Sequence, residues 1–243
     1  MELGKIYNTD CIAGMGGIAS HSIDMILCDL PYGITGCRWD SIIPLPDLWR
    51  EYKRVVKPGG AIVLTAVQPF TTELINSNRK MFRYCWYWQK NQVTGFPFAK
   101  FQPLRCVEDV CVFYSRMPTY NPQGLVLLEK PRRTKATPGK YAEFVYDRQT
   151  LSNAYETHFT NYPRQILKFD CQREGIHPTQ KPVALFEYLI RTYTNEGETV
   201  LDTCMGSGTT AVACINTNRS FIGFEIDKEY CKTANDRIQK LMR

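Results

Sequence analysis

At 243 residues and 44% apolar content, the chain can bury a full-sized core as one domain with an insertion or as two smaller ones. No apolar run approaches the roughly 18 residues of a membrane span, and the start "MELGKIYNTD" lacks the apolar stretch of a secretory leader, so a cytoplasmic protein with no membrane partner is expected. The net charge of +6 is unevenly placed: residues 79–106 hold six Lys or Arg and no acid, and residues 115–175 hold ten against six acids, which fits a nucleic-acid binder and equally a solvated basic face.

Strand-like runs alternate with helical ones from the start. A strand at "KIYNTD" is followed by a short helix near "CIAGMGGI" and a strand at "IDMILCDL". The pattern "LPDLWREYKRVVK" predicts a helix stopped by "PGG", then a buried strand "AIVLTAV". A helix at "FTTELINSN" and strands at "YCWYWQK" and "EDVCVFY" come next. The alternation then fails: residues 115–175 are rich in Pro, Thr, Lys and Tyr without a sustained period, and read as an inserted region or small second lobe, with "KPRRTKATPGK" as a mobile loop. Alternation resumes with a helix beginning at Pro182, a strand "TVLDTC", a helix "TTAVACINTN", a strand "SFIGFEI" and a closing helix "KEYCKTANDRIQKLM". The ten cysteines lie in apolar segments with no CxxC pair, so buried reduced thiols are expected, and no metal.

Two stretches carry chemistry. In "CDLPYGITG", residues 28–36, a buried strand ends on a carboxylate, a proline and an aromatic ring. In "LDTCMGSGTTA", residues 201–211, glycines stand at a strand-to-helix turn where a ligand can approach backbone amides. Gly206, Gly208 and Ala211 satisfy the loose dinucleotide pattern, with Glu225 near the place of a ribose-binding acid. Only one strand and one helix follow this turn, however, so the remaining strands must come from the N-terminal half. Placing the last helix before "KIYNTD" restores the alternation, which makes the chain a circularly permuted, doubly wound, mostly parallel sheet. Asp10, Asp29, Asp202 and Glu225 then gather at the carboxyl ends of strands, where such sheets bind ligands. Each is equally a turn or helix cap when taken singly.

"DLPYG" resembles the Asp-Pro-Pro-Tyr motif of amino-methyltransferases, "HPTQKP" resembles the motif before their cofactor helix, and "LDTCMGSGTT" resembles their glycine turn. The order is that of the beta group of DNA adenine-N6 and cytosine-N4 methyltransferases. The resemblance covers about residues 5–114 and 176–243. It implies a seven-stranded Rossmann-like methyltransferase sheet, residues 1–114 and 176–243 as catalytic domain and 115–175 as target-recognition region. It also implies S-adenosylmethionine as cofactor, double-stranded DNA as partner and, by family expectation, a homodimer. The cofactor would lie over Met205, Gly206, Ser207, Gly208 and Thr209, with Asp202 near its amino group and Glu225, beside Ile226, on the ribose. Asp10 and Cys11 match the adenine end, and Thr179, Gln180, Lys181 and Pro182 match the segment that closes over the methionine moiety. His177 could be a cap or loop residue. Leu30 stands where the family has proline; the family uses the backbone carbonyl there, which leucine also has.

The exocyclic nitrogen of a base is a poor nucleophile because its lone pair is delocalised into the ring. Asp29 and the Leu30 carbonyl, accepting its two hydrogens, would free that pair, while Pro31 makes the loop rigid and Tyr32 offers a stacking face for an extruded base. Asp at the first motif position favours adenine in the family, whereas Ser is common in the cytosine-N4 enzymes. Carbon-5 methylation needs a thiolate, typically in Pro-Cys, and no Pro-Cys occurs. In "NQVTGFPFAKFQPLR", Phe96, Phe98 and Phe101 are either core or a wall of the base pocket, and Lys100 and Arg105 would face phosphate. Arg132, Arg133 and Lys135 are the candidates for DNA contact in the inserted region. A nicotinamide oxidoreductase would need a glycine-first domain, which this order denies. A non-catalytic DNA-binding protein would need neither the carboxylates nor the glycine turn.

Overall fold

The computed structural model describes residues 1–33, 40–134, 154–171 and 180–241. In chain order these form β1 (Lys5–Asn8), α1 (Cys11–Met15), β2 (Ile23–Asp29), α2 (Leu45–Val55), β3 (Val56–Ala66), α3 (Phe70–Ser77), β4 (Phe82–Thr94) and β5 (Arg105–Phe113). They continue as β6 (Val126–Thr134), β7 (Tyr155–Thr160), β8 (Ile166–Lys168), α4 (Val183–Tyr193), β9 (Thr199–Asp202), α5 (Thr209–Asn216), β10 (Ser220–Glu225) and α6 (Lys228–Leu241). No described helix is long and apolar enough to cross a membrane. The nine described cysteines are free thiols.

One compact unit takes in Met1–Asn121 and Gln165–Arg243. Its sheet has the order β1-β10-β9-β2-β3-β5-β4-β8. The strands from β1 to β3 run parallel, and β5 is antiparallel to both β3 and β4. The C-terminal strands β9 and β10 therefore lie between β1 and β2, as the rearranged alternation requires. The sheet has eight strands rather than seven, because the three-residue β8 pairs parallel with β4 through Tyr87 and Ile166.

Successive strand residues point to opposite faces, and both faces are buried. Met25 and Leu27 of β2 and Ala61 and Val63 of β3 join a core with α4, α5 and α6. Their neighbours Ile26, Cys28, Ile62 and Leu64 join a second core with α1, α2 and α3. This explains why these strands read as continuous apolar runs rather than alternating ones.

The second unit, Pro122–Arg164, contains the antiparallel pair β6–β7. Its limits are narrower than 115–175. Asn121 is tied into the first unit by its amide on the Thr192 carbonyl at 2.8 Å and by its side chain on the Arg191 and Thr194 carbonyls. Residues 130–134, expected in a loop, belong to β6, and residues 135–140 lie outside the described residues. Pro131 falls at the register shift between Leu127 and Arg132, where its missing N–H costs no ladder bond.

The expected stop at "PGG" is also displaced. α2 ends at Val55, and Val56 is already extended and paired with Ile23, so Pro58, Gly59 and Gly60 lie within β3. The register shifts between Ile23 and Met25, and Gly60 makes this irregularity possible. A Cβ on Gly60 would lie 2.7 Å from the Asp24 carbonyl oxygen, whereas one on Gly59 would meet nothing nearer than the Met117 carbonyl oxygen at 3.7 Å. Gly60→Ala should therefore destabilise the protein by about 1–3 kcal/mol, as overpacking against backbone does. Gly59→Ala should change stability by less than about 0.5 kcal/mol. Urea midpoints of the two variants check this, and equal midpoints would remove the close-approach explanation.

Candidate active site

At the carboxyl ends of the parallel strands a cavity of about 980 Å³ opens, lined by Asp10, Asp29, Asp202, Glu225 and the glycine turn, all from the first unit. Gly206 and Gly208 both adopt positive φ, at 53° and 85°, the conformation for which glycine is suited. The turn is held by the Asp202 and Glu225 carboxylates. Asp202 Oδ1 accepts the Cys204 amide at 2.9 Å and Oδ2 accepts the Thr210 hydroxyl. Glu225 accepts the Gly206 amide at 2.7 Å and the Asp227 amide at 2.8 Å. Asp10 caps α1 through the Ala13 amide at 3.0 Å. Burial pushes the Asp202 carboxyl up to about 6 from 3.8, against the hydrogen bonds that favour its ionised form, and burial raises Glu225 as well.

Cys11, Gln180, Lys181, Met205, Ser207, Thr209 and Ile226 also line the cavity. Two expected cofactor residues do not. Gly208 turns away and packs on Ala234, where an added Cβ would come within 3.1 Å of the alanine Cβ. Pro182 is the extended N-cap residue of α4, and the helix begins one residue later than expected. Thr179 and His177 lie outside the described residues.

The Asp29 loop is more elaborately supported than its motif suggests. Asp29 Oδ1 accepts the Tyr32 hydroxyl at 2.5 Å and the Thr65 hydroxyl, and Oδ2 accepts Lys181 Nζ at 2.6 Å. The amides of Tyr32 and Gly33 donate to Asp40 Oδ1 at 2.8 and 2.9 Å, which fixes the loop beyond Pro31. The Tyr32 ring packs on Phe70 with centroids 5.5 Å apart, and Lys181 Nζ lies 5.7 Å from its centroid. Burial, and then Asp29, push the Tyr32 phenol well above its ordinary range, so it remains a donor. Lys181 is also 3.4 Å from Glu108 Oε2, and Glu108 pairs with Lys90. Burial alone would lower Lys181, yet Asp29 and Glu108 hold its ammonium above the ordinary lysine value.

Sequence reasoning missed Thr65, Lys90 and Glu108. A usable signal was present: Thr65 and Glu108 interrupt apolar strands at the same end of the sheet as Asp29. Of the aromatic and basic stretch, Arg105 lines the cavity but Phe96, Phe98 and Lys100 do not. Phe96 and Phe98 occupy a surface turn, 66% and 57% exposed, which excludes the core reading. Phe101 is exposed too. Arg132 and Arg133 are consecutive in β6 and so face opposite sides of the hairpin, with Arg133 3.6 Å from Glu156. Lys135 lies outside the described residues.

Residues 23–236 match the DNA methylase family, a span that includes the Asp29 loop and the glycine turn. Type II methyltransferase M.HpaI of Haemophilus parainfluenzae is 28% identical over 96% of this chain and 74% of its own length. DNA adenine methyltransferase YhdJ of Escherichia coli (strain K12) is 28% identical over 98% of this chain and 83% of its own. The crystal structure of the M1.HpyAVI–SAM complex superposes with a TM-score of 0.66 at 24% identity, covering 96% of this chain and 98% of that one. The PvuII DNA methyltransferase, cytosine-N4-specific, superposes with a TM-score of 0.69 at 15% identity over 99% and 92%, a likeness of fold. With the family match spanning both motifs, the chain belongs to the N6/N4 DNA methylase family, whose methyl donor is S-adenosylmethionine.

Proposed function

We propose that this chain methylates adenine N6 in duplex DNA, taking the extruded base into the cavity and transferring the methyl group directly, without a covalent intermediate. The observation that carries this reading is the placement of the Asp29 carboxylate in the same cavity as the glycine turn. The residues present suit the donor: Glu225 offers acceptors for ribose hydroxyls, Asp202 a carboxylate for its ammonium, and Gly206 a half-buried backbone without a side chain on the cavity wall. When bound, S-adenosylmethionine supplies an electrophilic sulfonium methyl.

Asp29 accepts one hydrogen of the target amino group and the Leu30 carbonyl the other, which localises the nitrogen lone pair for attack. Pro31 and the Asp40 bonds keep the loop in place, and Tyr32 stacks on the base and steadies Asp29 through its hydroxyl. Adenine rather than cytosine is supported by Asp at the first motif position and by the similarity to YhdJ over nearly the whole chain. The unit Pro122–Arg164 serves as target-recognition region, with Arg132 on one face of its hairpin. Phe96, Phe98 and Lys100, on their exposed turn, supply a stacking and phosphate-facing surface, with Arg105 nearer the cavity.

Mass spectrometry of nucleosides from treated unmethylated DNA should show N6-methyladenine. Asp29→Ala should lower turnover by at least roughly 10² while largely retaining S-adenosylmethionine affinity. N4-methylcytosine would overturn the base assignment, and an undiminished rate would overturn the role of Asp29.

The pH dependence of cofactor affinity tests Asp202. Its carboxyl titrates at about 6 in the free protein and must be ionised to pair with an ammonium, so binding below that pH has to expel a proton. Affinity should fall by up to about tenfold per pH unit below that value. Asp202→Asn should bind more weakly at pH 7.5 and lose that component of the slope. A calorimetric profile identical to wild type would place Asp202 away from the ammonium.

Opposite faces at Arg132 and Arg133 give the DNA assignment a sharp form. Arg132→Ala should lower the slope of log affinity against log salt by about 0.9, and Arg133→Ala by much less. Equal slopes for both variants and wild type would remove this hairpin from the phosphate contacts.

A further inference from the structure

Asp29 has about four acceptor positions, and three are already taken by Tyr32, Thr65 and Lys181. Lys181 takes Oδ2, and a cation there opposes the reaction. Attack on a sulfonium moves positive charge onto the amino nitrogen, and an ammonium 2.6 Å from the carboxylate that receives its hydrogen raises the energy of that charge. A second place for the ammonium exists. Lys181 Nζ is 3.4 Å from Glu108 Oε2, which accepts no hydrogen bond among the described residues although it is buried. A charge-assisted hydrogen bond requires only a shift on the order of 1 Å or less. Glu108 is held for this purpose by Lys90 on its other oxygen, Oε1.

We propose that Lys181 is a two-position residue, paired with Asp29 in the free enzyme and handed to Glu108 when the target amino group takes Asp29 Oδ2. Glu108 is thus a positioning residue that acts through Lys181. The free enzyme keeps its carboxylate paired until a base arrives, and the incoming amino group displaces the cation without leaving any charge buried alone. This inference rests on the assignment of Asp29 as acceptor of the amino hydrogens. The handover itself moves no proton: Lys181 stays protonated in both positions, while the methyl group passes from the sulfonium sulfur to the amino nitrogen, the neutral thioether leaves, and the one proton the nitrogen sheds passes through Asp29 to solvent.

The test is a double-mutant cycle read by single-turnover transfer of labelled methyl from S-adenosylmethionine to unmethylated genomic DNA, with cofactor affinity measured by calorimetry. Glu108→Gln should slow transfer at least tenfold while cofactor affinity stays within about threefold, because Lys181 then has, among the described residues, Asp29 as its only anionic partner. Lys181→Met combined with Glu108→Gln should be no slower than Lys181→Met alone, within about twofold, since Glu108 acts only through the lysine. If Glu108→Gln does not fold, Glu108→Asp, which keeps the charge but shortens its reach, replaces it and should also slow transfer with unchanged cofactor affinity. Transfer at the wild-type rate in the Glu108 variant, or losses that multiply in the double variant, overturns the handover. Full activity of Asp29→Ala would instead overturn the underlying assignment, so the two failures are separable.

Discussion

The ion pair between Asp29 and Lys181 joins parts of the chain far apart in sequence, and the site's geometry follows from it. Asp29 ends a strand of the N-terminal half, and Lys181 precedes a helix of the C-terminal half, 152 residues on. Lys181 is almost wholly buried. Removing a charge from water costs several kcal/mol unless a partner compensates, so the Lys181 ammonium depends on the carboxylates beside it. Glu108 and Lys90 extend the pair into an alternation of charges, minus to plus, that leads from β2 to β5 and β4. The alternation is neutral in sum, which is why four charged groups can share a largely water-excluded wall.

The sheet makes that convergence possible. Because β2 and β3 are covered on both faces, their polar groups are pushed to the strand ends, where Asp29 and Thr65 stand side by side in register. β5 runs antiparallel, so the beginning of β5 reaches the same edge as the ends of β2 and β3. That places Glu108 within reach of Lys181, the ammonium it shares with Asp29, although nothing in its local sequence resembles the Asp29 motif.

The elements built on periodicity were legible, and the interactions built on chain reversal were not. The runs "IDMILCD" and "AIVLTA" show a doubly covered strand by composition alone. The glycine turn shows itself because positive φ at Gly206 and Gly208 restricts the residue type. By contrast, β8 is three residues long and carries no pattern of its own; its place is set by pairing with β4 and by Trp88 donating to the Phe169 carbonyl at 2.8 Å. Residues 130–134 looked like a loop because Pro131, Arg132 and Arg133 have little strand preference, and cross-strand pairing with β7 overrode it. Glu108 and Lys181 could be identified as polar, but their meeting depends on strand order rather than on spacing in the chain.

The four strand-end acids also show why a cap and a ligand-binding residue need not be rival readings. Asp10 receives a backbone amide, Glu225 receives two, and Asp202 receives one amide and one hydroxyl. A carboxylate has about four acceptor positions, so each retains capacity after its structural bond is made. The bond to the loop sets the orientation of the carboxylate, and that orientation is what a preorganised site needs, because a freely rotating acid would lose entropy on meeting a ligand. Asp29 differs from these three in kind. Its partners are side-chain hydroxyls and an ammonium rather than backbone amides, so its environment can rearrange without unfolding a turn. On the proposed function, Asp29 exchanges one hydrogen-bond partner for another and is held by side chains alone, whereas Asp10 and Glu225, proposed to hold the cofactor, are held by backbone amides and Asp202 by an amide and a hydroxyl.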